Sequence, residues 1–84
     1  MFDGLSDEQI LIIDFIGKIA DSDKSPPTEN QIRGFTKLNI TKNKYALEEL
    51  LDFSYIRKSY DDEGDEVYEL TNKGLNVYIE LSTP

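Results

Sequence analysis

At Ser54 the spacing of the apolar residues changes from a period of about three and a half to a period of two. Beyond it, Tyr55 to Tyr60 and Glu66 to Leu70 are rich in aromatic and branched side chains. Between them, Asp61-Asp62-Glu63-Gly64-Asp65 supplies a turn, with a glycine for positive φ. A β-hairpin is expected there, so helices must precede it and pack against it.

Ser6 followed by Gln9 is a capping box, and Leu5 with Ile10 forms a hydrophobic staple around it. The helix that starts there, roughly 7–20, carries Leu11, Ile12, Ile13, Phe15, Ile16, Ile19 and Ala20 over an arc of about 200°. That arc is wide enough for two packing partners. Residues 21–27, ending in Pro26-Pro27, read as a loop. Thr28 and Gln31 repeat the capping box, and Ile32, Phe35 and Leu38 mark a second helix over roughly 29–38. Asn39 and Ile40 make a short turn. Thr41 then caps a third helix of about 42–53, with Leu47, Leu50 and Leu51 on one side. Two short helices joined by a tight turn outline a helix-turn-helix. Thr71 caps a final helix, where Leu75, Val77, Tyr78, Ile79 and Leu81 lie on more than one side.

The chain has 84 residues, which suits a single domain over 1–84 and excludes a TIM barrel or a two-half dinucleotide fold. It contains no cysteine and no histidine. Disulfides, thiolate nucleophiles, Ser-His-Asp catalysis and the usual zinc or iron–sulfur ligand sets are therefore excluded. The acidic turn fails as a calcium loop, because placing Gly64 sixth puts Leu70 twelfth, where a bidentate Glu is required. The longest fully apolar run is Ile10 to Ile13, far too short for a membrane span, and the N-terminus lacks the positive charge of a signal peptide. A cytoplasmic protein that is not an enzyme and holds no cofactor or metal is expected.

The net charge is −8, unevenly spread. Residues 28–60 hold six bases and four acids, whereas residues 61–84 hold one base and seven acids. Only the middle third suits a polyanion.

The residues at the period change carry a resemblance. Leu47-x-x-Leu50-x-x-x-Ser54-Tyr55-Ile56 resembles the stretch that ends the recognition helix and enters the wing in MarR-like and PadR-like regulators. Leu70-Thr71-x-Lys73-Gly74 resembles the segment with which their wing returns and caps the next helix. The similarity covers roughly residues 28–81 and implies an α+β winged helix-turn-helix: a three-helix core, a two-stranded wing and a C-terminal helix. Three positions depart from the pattern. Ser54 stands for the usual glycine, Asn43 for a core apolar residue, and Thr36 for another, leaving Phe35 to fill the space.

The resemblance implies a sequence-specific DNA-binding transcriptional regulator. The third helix would enter a major groove with Thr41, Lys42, Lys44 and Tyr45 toward the DNA, while Arg33, Lys37, Arg57 and Lys58 would meet phosphates. The acidic residues support an alternative. Glu48, Glu49 and Asp52 on the third helix, with Asp61, Asp62, Glu63 and Asp65 on the wing, would dock a basic protein partner or mimic nucleic-acid charge. Surplus apolar surface on the terminal helices fits either packing within the chain or a homodimer.

Overall fold

The computed structural model describes residues 4–83. Four helices and one hairpin follow in the order α1 (Asp7–Asp21), α2 (Glu29–Thr36), α3 (Ile40–Asp52), β1 (Ile56–Tyr60), β2 (Glu66–Leu70) and α4 (Asn72–Ser82). This is a winged helix-turn-helix. Both capping boxes close as expected: Ser6 and Gln9 exchange hydrogen bonds at the start of α1, and Thr28 and Gln31 do so at the start of α2.

α1 is the central element, in contact with α2, α3, α4 and β2. Its Ile12, Ile13 and Ile16 meet Ile32, Leu47, Leu50 and Ile56 in the core. The buried stripe is narrower than the apolar arc of the sequence, because Leu11 and Ala20 are exposed. Tyr78 of α4 lies over Gly17, where an added Cβ would sit 2.3 Å from its ring. The Tyr78 hydroxyl donates to Asp21 Oδ2 at 2.6 Å, tying α4 to the end of α1.

The wing is antiparallel, with Ile56 opposite Leu70 and Tyr60 opposite Glu66. Asp61 Oδ1 organises its turn by accepting the backbone N–H groups of Glu63 and Asp65, both at 2.9 Å. Gly64 takes φ +85° there. The outer side of β2 receives one further bond, from Tyr68 N–H to the Pro27 carbonyl at 2.9 Å.

Four local expectations are corrected. α2 stops at Thr36, two residues early, because Lys37 turns to φ 61° and the Thr36 hydroxyl accepts the Leu38 N–H at 3.3 Å. A hydroxyl that competes for nearby backbone groups ends the helix. α3 begins at Ile40, and its cap is Asn39 rather than Thr41: Asn39 Oδ1 accepts from Lys42 N–H at 2.8 Å. β1 begins at Ile56, not Tyr55, because the Tyr55 N–H closes the end of α3. Phe35 does not fill the core. It is 42% exposed and stacks on Phe15 with ring centroids 4.4 Å apart.

The end of α3 is a Schellman motif: Tyr55 N–H reaches the Leu50 carbonyl at 2.9 Å and Ser54 N–H the Leu51 carbonyl at 3.1 Å. Ser54 sits at φ 65°, where glycine is usual. The start of α4 locks onto this turn. Thr71 donates its backbone N–H to the Tyr55 carbonyl and its hydroxyl to the Ser54 carbonyl. Lys73 Nζ donates to the Phe53 carbonyl at 2.8 Å and lies 4.3 Å from the Tyr55 ring centroid. Gly74 packs so closely that a Cβ would lie 2.0 Å from the Tyr55 oxygen.

Gly74→Ala is therefore expected to cost about 1–3 kcal/mol through overpacking, while Ser54→Gly gains up to about 1 kcal/mol by relieving left-handed strain. Urea unfolding of the two variants checks both signs. A pH dependence follows from the tyrosines. Hydrogen bonding to Asp21, then burial, raises the Tyr78 pKa above its ordinary 10.0; burial, then the nearby charges of Glu29, Glu66 and Glu48, raise that of Tyr68. Both groups hold protons that the unfolded chain releases, so their contribution is complete below pH 10 and is lost as pH rises through the elevated values. Alkaline unfolding should be less steep in Tyr78→Phe, with absorbance at the phenolate band as the readout.

Candidate nucleic-acid interface

α3 is built to present one face to solvent. Ala46, Leu47 and Leu50 are buried against the core, so Lys42, Tyr45, Glu48, Glu49 and Asp52 all lie exposed on the opposite side. Ile40, Thr41, Lys44, Tyr45 and Glu48 line a single shallow depression. Lys42 and Tyr45 line a second with Leu38 and the carboxylates Glu8 and Glu49, and Arg33, Lys37 and Leu38 line a third. Shared walls at Tyr45 and Leu38 join the three into a continuous surface from the end of α2 to the middle of α3. Arg33, Lys37, Thr41, Lys42, Lys44 and Tyr45, all expected to face DNA, lie along it.

The other two candidates, Arg57 and Lys58, do not. Arg57 Nε pairs with Glu69 Oε1 at 3.3 Å, and Lys58 Nζ with Glu66 Oε2 at 3.8 Å. Arg57 also lines a cleft between α1, β2 and α4 to which α3 contributes nothing. By contrast, Arg33, Lys37, Lys42 and Lys44 form no ion pair among the described residues. The unpaired positive charge of the middle third is thus concentrated on α2 and the first half of α3. The start of α3 also lacks an acid in its first turn, whereas α1 begins with Asp7 and Glu8 and α2 with Glu29. Its positive dipole end is left uncompensated.

Among the acidic candidates, Glu48, Glu49, Asp52, Asp62, Glu63 and Asp65 are exposed. Asp61 is half-buried, with one carboxylate oxygen engaged in the wing turn. Besides the residues expected to face DNA, the surface takes in Glu8, Leu38, Ile40, Glu48 and Glu49. Ile40, read as part of the turn, is 62% exposed in the α3 depression, and Glu48, read as part of an acidic face, lines the same depression as Lys44. An apolar residue directly after a capping asparagine was the available signal for Ile40.

The two polar departures from the family pattern turn out to be partners. Thr36 Oγ1 donates to Asn43 Oδ1 at 3.2 Å across the turn between α2 and α3. Asn43 is fully buried, and its Nδ2 has no hydrogen-bond partner among the described residues. Among the described residues, no group of three or more acidic side chains is placed to hold a metal ion, and no helix is long and apolar enough to cross a membrane.

No protein-family model matches the chain, and no curated protein matches it in sequence. Solved structures do match in shape. MepR of Staphylococcus aureus, a transcription regulator of the multidrug efflux pump MepA, superposes with a TM-score of 0.82 at 15% identity, over 94% of this chain and 56% of that one. ZitR of Lactococcus lactis, in a cysteine-to-serine mutant form, gives 0.82 at 19%, over 98% and 53%. A MarR-family transcriptional regulator from Silicibacter pomeroyi gives 0.73 at 23%, over 94% and 51%. The chain spans about half the length of these structures, and the likeness establishes the winged-helix fold.

The Thr36–Asn43 pair generates a test of the packing beneath this surface. Thr36→Val leaves both polar atoms of a buried amide unsatisfied and should cost about 1–3 kcal/mol; adding Asn43→Val should recover most of that loss. Chemical denaturation of the two single variants and the double variant measures the coupling.

Proposed function

We propose that this chain is a sequence-specific DNA-binding transcriptional regulator that docks α3 in a major groove. The observation that carries this reading is the segregation of charge. Four cations without an ion pair among the described residues, Arg33, Lys37, Lys42 and Lys44, flank the outward face of α2 and α3, beside an uncompensated helix N-terminus. Phosphates along a duplex are attracted to such an arrangement, and exposed Thr41 and Tyr45 lie between the cations to meet base edges. The fold, shared with solved transcription regulators, supports the same reading.

The role proposed here for the wing is smaller than its usual one. Its two cations are held by Glu69 and Glu66, and its tip carries Asp62, Glu63 and Asp65. Like charges repel, so the tip stays clear of the backbone and α3 does the contacting. A homodimer belongs to the proposal: Leu11 of α1 and Leu75, Ile79 and Leu81 of α4 remain 37–51% exposed, and a second copy covering them would carry two α3 helices to half-sites about 34 Å apart. The protein would act in the cytoplasm, without catalysis and without a cofactor.

The second reading, a winged helix that docks a basic protein, is favoured by the acids Glu49 and Asp52 at the far end of α3, which form no ion pair among the described residues. A salt series of duplex binding separates the two. Four phosphate contacts per chain predict a log–log slope of about −3.6. Lys42→Glu with Lys44→Glu should abolish binding, while Arg57→Ala and Lys58→Ala should leave the slope nearly unchanged. No binding to any promoter duplex at micromolar protein and low salt, or indifference to the double charge reversal, overturns the DNA reading and favours the protein partner.

A further inference from the structure

The depression on α3 contains a carboxylate where a DNA-facing surface has most reason to exclude one. Glu48 lies two turns beyond Ile40 and one turn beyond Lys44, and these three share a single depression with Thr41 and Tyr45. It forms no ion pair among the described residues. Lys44 lies four residues before it, the weaker order for a helical ion pair, and the two remain apart. The span from Ile40 to Glu48 covers about 12 Å of helix, the length of three to four base-pair steps at about 3.4 Å each.

A carboxylate lowered into a major groove loses water and meets a negative potential. It is tolerated only over a hydrogen-bond donor, and the donors on the groove floor are the exocyclic amines of cytosine and adenine. Adenine N6 lies between two acceptors, its own N7 and the O4 of the paired thymine, so an oxygen approaching it is opposed from both sides. Cytosine N4 has an acceptor, guanine O6, on one side only. Cytosine is therefore the base that suits Glu48. Around it the depression offers Ile40 and Tyr45, which are 62% and 64% exposed, as apolar surface for thymine methyl groups.

Resting on the DNA-binding reading above, we infer that Glu48 is a specificity-determining residue that selects cytosine at one fixed position of each half-site. The charge that weakens binding to every other base at that position makes the selection. Lysines 42 and 44 set how tightly the chain holds DNA; Glu48 sets where it stops.

The test is selection from a randomised duplex library with the full chain, its Glu48→Gln variant and its Glu48→Ala variant. The native chain is expected to enrich sites with an invariant cytosine, and replacing that cytosine by thymine should weaken binding about 10- to 100-fold. Glu48→Gln should move the preference at that single position toward adenine, which glutamine meets at N6 and N7. Glu48→Ala should erase it, with the rest of the site unchanged. Circular dichroism of each variant checks that folding is intact. If the native chain selects a site without a fixed cytosine, or if Glu48→Ala binds the same site more tightly at every position, Glu48 is only a repulsive charge and the inference fails while DNA binding stands. If the native chain selects no duplex, the DNA reading fails and takes this one with it.

Discussion

The tie between the end of α3 and the start of α4 is the constraint on which the other elements depend. The Phe53, Ser54 and Tyr55 carbonyls accept from Lys73, Thr71 Oγ1 and Thr71 N–H respectively. These carbonyls sit at the negative end of the α3 dipole, where an ammonium is favoured. The donors can arrive only if the intervening hairpin closes with Ile56 opposite Leu70. A slip of one residue would turn Ile56 and Tyr68 away from the core and remove the tie at once. α3 and the wing are consequently one mechanical unit, and the two resembling motifs of the sequence are the two halves of a single junction.

The same hairpin decides the electrostatics. Its cross-strand pairs, Arg57 with Glu69 and Lys58 with Glu66, are exposed, and pairs of that kind contribute about 0–1 kcal/mol to stability. Their larger consequence is to neutralise the two cations of the wing. What remains positive is the stretch from Arg33 to Lys44, which holds four cations and no acid, within a chain of net charge −8. At a Debye length of about 8 Å in physiological salt, the distant acids are screened while the local lysines are not. Local arrangement therefore outweighs the total.

Much of this was legible before any coordinates. The capping boxes of Ser6 with Gln9 and Thr28 with Gln31 closed as their spacing implied, because cap geometry involves only neighbours along the chain. The hairpin followed from its alternating pattern, and the left-handed Ser54 from the missing glycine. The end of α2 was not legible, since the hydroxyl of Thr36 can either continue a helix or compete with it. Asn39 and Thr41 are both good caps, and local preference cannot choose between them. The pairing of Arg57 and Lys58 needed the strand register, which joins residues up to fourteen apart. For the candidate interface, the cations of α2 and α3 were visible in the composition of the middle third and Glu48 in the helical spacing, whereas the exposed Ile40 at the start of α3 required the helix to be seated on its core.

That seating is fixed by a polar contact. Thr36 and Asn43, each an anomaly when read alone, meet at 3.2 Å between α2 and α3, with Asn43 fully buried. Burying an amide with one side unsatisfied costs about 1–3 kcal/mol relative to a fully paired group, so the contact is a poor source of stability. It is a good source of orientation. Aliphatic side chains in the same place would interdigitate almost as well after a small rotation of α3, because dispersion has little angular preference. A hydrogen bond weakens steeply once its angle falls below about 120°. Rotating α3 would break it and leave neither polar atom of the buried Asn43 amide paired. The bond therefore holds the stripe from Ile40 to Glu48 outward at one angle, and the proposed contact with successive base-pair edges would gain more from a fixed angle than from another fraction of a kcal/mol in the core.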